Sequence, residues 1–237
     1  MAPCCRAHLV LVRPRWASNL GAVARAMKNF ALSRLTLVDS RIGAWADAWR
    51  MAVHAGDVLE GAVQVAELGE AIGDANFVVG TSDRPPAGAR VLTPKELAIE
   101  AARVGSLTLV FGGEVNGLMP DELRRCHAVA TIPTAGEQSS LNLAQAVCVF
   151  ASHLYGTPAA AETGLVPEPV PAATPAPAEL MHRLELALQH LLERSAWVDA
   201  TRPKRAIGEL MLPLWRARLS EDEVRLWLVA LNKAAQR

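Results

Sequence analysis

The sequence contains no apolar run of the length that a membrane helix needs. Crossing a bilayer takes about 20 consecutive apolar residues, and no stretch of this 237-residue chain approaches that length. The N-terminal segment Met1-Ala2-Pro3-Cys4-Cys5-Arg6 also lacks the order of charged and then apolar residues that is typical of a signal peptide. We therefore expect a soluble protein of the cytoplasm.

Cysteine is scarce, and its spacing argues against two kinds of site. Of the four cysteines, Cys4 and Cys5 are adjacent, whereas Cys126 and Cys148 stand far apart and no CxxC pair occurs. Structural zinc sites use paired cysteines at short spacing, and small secreted domains use a framework of several disulfides. We therefore predict neither a metal site nor a disulfide framework.

A net charge and a dinucleotide-binding motif are also missing. Basic and acidic residues number 24 each, so the overall charge does not indicate nucleic-acid binding. Residues 1–50 are nevertheless rich in Lys and Arg, and residues 51–150 are rich in Asp and Glu, which permits a local phosphate-binding face. The turn Ser18-Asn19-Leu20-Gly21 has one glycine instead of G-x-G-x-x-G, which disfavours a nicotinamide enzyme.

Apolar runs alternate with amphipathic segments over the first two thirds of the chain. The runs predict strands at 8–13, 34–39, 76–80, 106–111 and 128–133, and the other segments predict helices from 18, 44, 93, 119 and 140. This alternation predicts an α/β fold in which a mainly parallel sheet is flanked by helices on both faces.

The composition changes sharply after residue 157. Six prolines lie between Thr157 and Ala178, which predicts a semi-rigid linker at 158–178. A helix with one apolar face follows at 179–194, and Ser220 with Glu223 forms a capping box for another helix. We predict a main domain at 1–157 and a small all-helical C-terminal appendage at 179–237 that needs a partner surface.

Polar and glycine-rich turns follow three of the predicted strands, at 18–25, 111–117 and 139–142. In an open parallel sheet such turns gather at the carboxyl edge, where ligands bind. Two simpler interpretations stay open. Asn19 and Asn142 are also typical helix caps, and Gly112-Gly113 is typical either of an ordinary turn or of a backbone that approaches a flat ligand.

Together, these segments resemble the three motifs of a known family. The matching residues are Asn19 through Arg25, Phe111-Gly112-Gly113-Glu114 with Gly117, and Ile132-Pro133-Thr134 with Ser140-Leu141-Asn142. In this order they resemble the SpoU branch of the SPOUT RNA methyltransferases, and within it the TrmJ type of tRNA 2′-O-methyltransferases. The resemblance extends to Val78–Ser82 and to the tail around Pro203-Lys204-Arg205.

The resemblance implies a fold, a reaction and partners. The α/β sheet would carry a C-terminal trefoil knot that holds S-adenosylmethionine, and the protein would be a homodimer. The reaction would transfer a methyl group to a ribose 2′-OH of tRNA, at nucleotide 32 (C or U) of the anticodon loop. Two alternatives stay open: the same reaction at another tRNA position or on ribosomal RNA, and a catalytically silent RNA-binding protein of this fold.

Carried over residue by residue, the resemblance implies two sets of site residues. The catalytic set is Asn19, Arg25, Glu114, Ser140 and Asn142. The set that contacts the methyl donor is Thr81, Ser82, Asp83, Gly112, Ile132, Ser139, Ser140 and Leu141. We expect RNA backbone contacts from the basic residues of the first fifty, from Arg84 and from Arg202-Pro203-Lys204-Arg205.

A guanidinium stays protonated at neutral pH, so Arg25 is a poor general base. We expect it to grip a neighbouring phosphate and orient the hydroxyl, with the phosphate as a possible proton acceptor, and we expect Glu114 to anchor the helix of the first motif. This chain departs from the TrmJ type at three places. Gly113 replaces a usual Arg and Arg15-Trp16-Ala17 replaces a usual Pro-Gly-containing turn, and we expect both to lie where the substrate is contacted. Asp83 adds a negative charge where a small residue is usual, and we expect it to tune the affinity for the methyl donor.

Overall fold

The computed structural model of the chain describes residues 3–136, 139–157, 174–194 and 203–235. In this part of the chain, seven strands form one sheet in the order β3-β2-β1-β6-β4-β7-β5. All six pairings are parallel, which confirms the predicted α/β class. The strands are β1 (Arg6–Val12), β2 (Arg34–Val38), β3 (Val63–Val65), β4 (Val78–Thr81), β5 (Val91–Leu92), β6 (Ser106–Gly112) and β7 (Ala128–Ala130). The implied trefoil knot stays a prediction.

Ten helices occur in the described ranges, and none of them is both long and apolar enough to cross a bilayer. They are α1 (Ala17–Asn29), α2 (Ala46–Ala52), α3 (Gly56–Glu60), α4 (Leu68–Ile72), α5 (Pro94–Val104), α6 (Pro120–Arg124), α7 (Leu143–Gly156), α8 (Ala178–Arg194), α9 (Pro203–Ala217) and α10 (Glu221–Ala235). The sequence pattern misses β3, β5, α3 and α4, which have two to five residues and show no period or apolar run of their own.

The two faces of the sheet bury different residues of the same strands. Leu9 and Leu11 of β1 point to one face, where α1, α2, α5 and α7 pack, and Val10 and Val12 point to the other. Successive side chains of a strand alternate between faces, and here both faces are covered. The central strands are therefore mainly apolar along both faces, with a few buried polar residues such as Thr36 and Thr108, which is typical of a buried parallel sheet.

The C-terminal helices cover the second face of the sheet. Leu184 of α8, Met211 and Trp215 of α9 and Val224 of α10 share one hydrophobic cluster with the valines of the strands. The chain returns to the sheet next to α4, where Asn76 Nδ2 donates a 2.7 Å hydrogen bond to the carbonyl of Pro175. The sheet thus provides an apolar surface for these helices. The division into two domains with a linker stays a prediction, and residues 158–173 of that linker lie outside the described part.

A half-buried polar cluster joins the C-terminal helices to the main sheet. One carboxylate oxygen of Glu100 accepts hydrogen bonds from Arg90 (2.6 Å) and Arg218 (2.9 Å). The guanidinium of Arg218 lies 4.6 Å from the ring centroid of Phe77. Next to it, buried His127 accepts a 3.0 Å hydrogen bond from the N–H of Val78 at Nδ1. Each cation therefore has a carboxylate or an aromatic partner, which limits the cost of burying it.

Candidate active site

The turn between β6 and α6 holds the start of α1 through one carboxylate. Glu114 accepts hydrogen bonds from the backbone N–H of Arg15 (3.0 Å) and from that of Trp16 (3.4 Å). It also accepts a 3.0 Å hydrogen bond from the side-chain amide of Asn19, the third residue of α1. The N–H groups at a helix start lack partners within the helix, so Glu114 both satisfies them and fixes the position of the Asn19 side chain.

Asn142 extends this arrangement to the third turn. Its side-chain N–H donates a 3.0 Å hydrogen bond to Oδ1 of Asn19, and its own Oδ1 accepts from the N–H of Ala144 at 2.9 Å. Asn142 is therefore the cap of α7, which begins at Leu143 and not at Ser140 as the sequence predicts. It is at the same time part of a three-residue polar cluster, Glu114–Asn19–Asn142, which we call the amide cluster.

The other two residues of the predicted catalytic set lie outside the amide cluster. Arg25 is exposed on α1, six residues after Asn19, and therefore about 9 Å further along the helix axis. Its guanidinium makes no hydrogen bond or ion pair with the described residues. Ser140 is exposed two residues before Asn142, and its hydroxyl has no partner in the same part of the chain. Both side chains are thus free to meet a substrate.

The residues predicted to contact a methyl donor lie at the carboxyl ends of β4 and β6 and in the loop that joins β7 to α7. These strands are neighbours in the sheet. The hydroxyl of Thr81 donates to the carbonyl of Val110 at 3.1 Å, and the N–H of Ser82 donates to the carbonyl of Ala130 at 3.1 Å. Thr131 donates its hydroxyl to the carbonyl of Ser82 at 2.7 Å. The first bond ties the end of β4 to β6, and the other two hold the turn after β4 against β7 and the loop that follows it.

A second contact joins the same two loops at the surface. The hydroxyl of Ser139 donates a 2.8 Å hydrogen bond to the carboxylate of exposed Asp83. Ile132 is half-buried and Leu141 is exposed, and both lie on the β7–α7 side of this contact. These loops thus present a carboxylate, several hydroxyls and two apolar side chains. Such a group suits S-adenosylmethionine, which has cationic groups, ribose hydroxyls and an adenine ring.

The glycines of the β6–α6 turn are required by neighbouring backbone. A Cβ on Gly112 would lie 1.9 Å from the carbonyl carbon of Gly117, so the returning turn itself fills that space. A Cβ on Gly113 would lie 2.3 Å from the carbonyl oxygen of Arg13, at the end of β1. Gly113 is therefore a point of close approach between two turns.

Sequence reasoning missed a further link at this edge of the sheet. Arg13 makes a two-pronged ion pair with Glu122 of α6 (Nη2 to Oε2 2.8 Å), and Glu122 also accepts from the N–H of Met119 at 2.7 Å. Partial burial opposes the charge on Glu122, but these hydrogen bonds outweigh it and hold the pKa of its carboxyl below the ordinary value. The signal in the sequence was Glu122 itself, which follows Met119-Pro120 at the spacing of a capping residue.

The basic residues of the first fifty separate into two groups. Arg13, Lys28, Arg41 and Arg50 each pair with a carboxylate of this chain. Arg6, Arg15, Arg25 and Arg34 form no such pair with the described residues. Only the second group has charge available for a phosphate, and within it Arg15 and Arg25 belong to the turn and helix that carry Asn19. Arg202 and the side chains of Lys204 and Arg205 lie outside the described part.

A large cavity lies elsewhere in the described part of the chain. It has a volume of about 850 Å³, opens at the amino ends of the strands, and is lined by residues that include Arg6, His8, Arg34, Asp74 and Phe77. None of the residues of the predicted catalytic set or of the predicted methyl-donor set lines it. No group of three or more metal-ligating side chains occurs in the same part of the chain. In the amide cluster, Glu114 and Asn19 are half-buried and Asn142 is exposed.

Comparison with known proteins places these features in a family. The profile of the SpoU rRNA Methylase family matches residues 6–152. A Yersinia pestis protein named tRNA (cytidine/uridine-2′-O-)-methyltransferase TrmJ is 34% identical over 226 residues, which cover 92% of this chain and 87% of that protein.

Two solved structures are similar to the whole chain or to its main part. The crystal structure of TrmJ from Z. mobilis ZM4 superposes with a TM-score of 0.83 at 28% identity, covering 95% of this chain and 97% of that one. A structure described as giving insights into the 2-OH methylation of C/U34 on tRNA superposes with a TM-score of 0.51 at 28% identity. That match covers 63% of this chain and 93% of the other.

Proposed function

Because the chain belongs to the SpoU methylase family, we propose that it is a tRNA 2′-O-methyltransferase that uses S-adenosylmethionine and modifies nucleotide 32 (C or U) of the anticodon loop. We further propose that it acts as a knotted homodimer in the cytoplasm. The observation that carries the proposal is the amide cluster, in which the three motif turns meet through the hydrogen bonds of Glu114, Asn19 and Asn142.

A ribose 2′-hydroxyl is a weak nucleophile, so the site must place it in line with the methyl group and help its proton to leave. When bound, S-adenosylmethionine supplies an electrophilic methyl group. The side-chain amide of Asn142 donates a hydrogen bond to that of Asn19. This bond fixes the positions of both side chains at the edge of the site where the hydroxyl approaches. Glu114 positions both without needing to touch the substrate. Ser140, whose hydroxyl is free, is placed to contact the ribose.

Arg25 acts on the substrate phosphate in this proposal. Its guanidinium is exposed and unpaired within the described part of the chain, and a fork of N–H donors matches two phosphate oxygens. Binding the phosphate next to the target nucleotide orients the 2′-hydroxyl, and the phosphate oxygen accepts the departing proton. The turn at Thr81–Asp83, Gly112, Ile132 and the segment Ser139–Leu141 hold the methyl donor.

Methyl transfer to defined tRNA transcripts tests the proposal. The purified protein is incubated with labelled S-adenosylmethionine and an unmodified tRNA, and the product is mapped by alkaline hydrolysis, which does not cleave next to a methylated ribose. A transcript with 2′-deoxyribose at nucleotide 32 lacks the acceptor and should receive no label. A transcript with 2′-deoxyribose at nucleotide 34 should be labelled as well as the unmodified one.

The second candidate is the same reaction at nucleotide 34, which the similarity to the structure concerned with C/U34 favours. In that case the two deoxy-substituted transcripts exchange their behaviour. Absence of label from both unmodified tRNA and ribosomal RNA, with S-adenosylmethionine still bound in calorimetry, would instead indicate a silent RNA-binding protein.

A further inference from the structure

Trp16 combines a fixed backbone with an exposed side chain. Its N–H donates to Glu114 at 3.4 Å, and its carbonyl accepts the 3.1 Å hydrogen bond from Leu20 that opens α1. Its side chain nevertheless leaves the residue 51% exposed, and its indole stacks on no ring of the described residues. An exposed large aromatic side chain on a rigid turn is typical of a contact surface for a ligand.

The surroundings of Trp16 indicate the chemistry of that ligand. Arg15, the preceding residue, is exposed and keeps its guanidinium free of carboxylates in the described part of the chain. Exposed apolar side chains also occur on the other two turns of the site, at Val115 next to Glu114 and at Leu141 next to Asn142. A flat apolar surface beside an unpaired cation suits a nucleotide, which has a stacking base and a charged phosphate.

We propose that Trp16 is a stacking platform for an unpaired base of the RNA loop that is methylated, with Arg15 on a neighbouring phosphate. This inference rests on the proposed function and adds to it the residue that selects a splayed-out nucleotide. Because Glu114 binds the N–H of Trp16 and the amide of Asn19, the platform has a fixed distance from the amide cluster. A base stacked there brings its own ribose, or that of its neighbour, to the site.

Kinetics with Trp16 variants test the platform. Replacing an aromatic platform by alanine typically weakens binding by about 1–3 kcal/mol per base, which corresponds to a fall of roughly 5- to 150-fold in kcat/KM for tRNA. Trp16→Ala should show this fall mainly in KM for tRNA, with unchanged affinity for S-adenosylmethionine, and Trp16→Phe should recover most of it. The matched control is Trp49→Ala, because Trp49 is 44% exposed on α2 and its ring lies beside Gly56.

An abasic scan of the anticodon loop identifies the stacked base and separates the possible outcomes. Removing that base should lower kcat/KM of the wild-type protein as much as Trp16→Ala does. The two changes together should lower kcat/KM no further than either change alone. If every abasic position lowers kcat/KM of Trp16→Ala by as much as it lowers that of the wild type, no base depends on Trp16 and the platform is overturned. Unchanged kinetics of Trp16→Ala would also overturn it. Conversion of Trp16→Ala to a monomer in light scattering would also overturn it, by assigning the indole to contact with a second copy. If wild-type protein labels no tRNA, the proposed function fails instead.

Discussion

The side-chain amide of Asn142 lies 3.0 Å from that of Asn19, although 123 positions of sequence separate the two residues. Asn142 donates to Asn19, and Asn19 in turn donates to Glu114. Hydrogen bonds connected in series strengthen one another, because each one polarises the next donor. The cap of α7 and the first turn of α1 are therefore coupled, and a change in one amide is felt at both.

Asn142→Asp is expected to separate the two roles of this residue. A carboxylate oxygen still accepts from the N–H of Ala144, so the helix cap is kept. It cannot donate to Asn19, and it places a negative charge beside that acceptor. We expect the turnover of methyl transfer to fall about 100-fold, because small displacements at a reacting centre have effects of that size.

Urea unfolding provides the control for this variant. The free energy of unfolding of Asn142→Asp should lie within about 1 kcal/mol of the wild-type value. Asn142→Ala removes the cap and the amide together, and its free energy of unfolding should be about 1 kcal/mol lower than that of Asn142→Asp. Wild-type turnover in Asn142→Asp would contradict a functional role for the bond to Asn19.

Arg25→Lys is expected to lose most of its activity without a loss of stability or of donor binding. The side chain is exposed and has no partner in the described residues, so the folded state does not depend on it. Lysine keeps the charge but not the planar fork that matches a phosphate. Turnover with tRNA should therefore fall at least tenfold, while calorimetry should give the wild-type affinity for S-adenosylmethionine. Arg41→Lys, at an exposed arginine paired with Asp39, is the matched control. An equal loss of donor affinity would move Arg25 into the donor site.

The sequence predicts the central strands well because each is a short, mainly apolar segment rich in Val and Leu. It also predicts the reciprocal caps at Thr93 with Glu96 and at Ser220 with Glu223, since these depend on residues three positions apart. Local spacing is enough for such features. β5, with the two residues Val91 and Leu92, has no period to detect and depends on its pairing with β7.

The contacts within the candidate site are harder to predict, because they depend on the register between distant strands. Glu114 meets Asn19 only because β1 and β6 are neighbours in parallel register, with Val12 opposite Gly112. The sequence motifs indicate which turns share an edge, but not which side chains bond. The sequence likewise does not predict that α9 packs on the sheet through Met211 and Trp215, because this contact depends on the shapes of surfaces that are distant in sequence.

Gly113→Ala is expected to destabilise the fold. Its Cβ would lie 2.3 Å from the carbonyl oxygen of Arg13, a backbone atom that cannot rotate away. Forcing an extra carbon into a filled space typically costs about 1–3 kcal/mol, and the midpoint of urea unfolding should fall accordingly. Gly43→Ala is the control, because no atom lies within 4 Å of its added Cβ. An unchanged midpoint in Gly113→Ala would show that the two turns move apart easily. Gly113→Arg should then also be tolerated.

The buried imidazole of His127 should make the stability of the protein depend on pH. Burial, together with the nearby charges of Arg218 and Arg90, lowers the pKa of His127 from 6.5 to about 4. At a pH above 6.5 the imidazole is neutral in both the folded and the unfolded chain, and stability is at its full value. Between pH 6.5 and 4 the unfolded chain binds a proton that the folded one does not, so the free energy of unfolding falls by up to about 1.4 kcal/mol per pH unit.

His127→Asn isolates this contribution. The amide oxygen of asparagine offers the N–H of Val78 an acceptor in place of Nδ1, and it does not titrate. Buried His8, whose pKa is also lowered to about 4, titrates in the same window in both proteins and cancels in the comparison. Urea unfolding between pH 7 and 5.5 should therefore show a smaller loss of stability for His127→Asn than for the wild type. Parallel pH profiles would mean that His127 accepts its proton in the folded state as readily as in the unfolded one, and would contradict its assignment as a neutral acceptor.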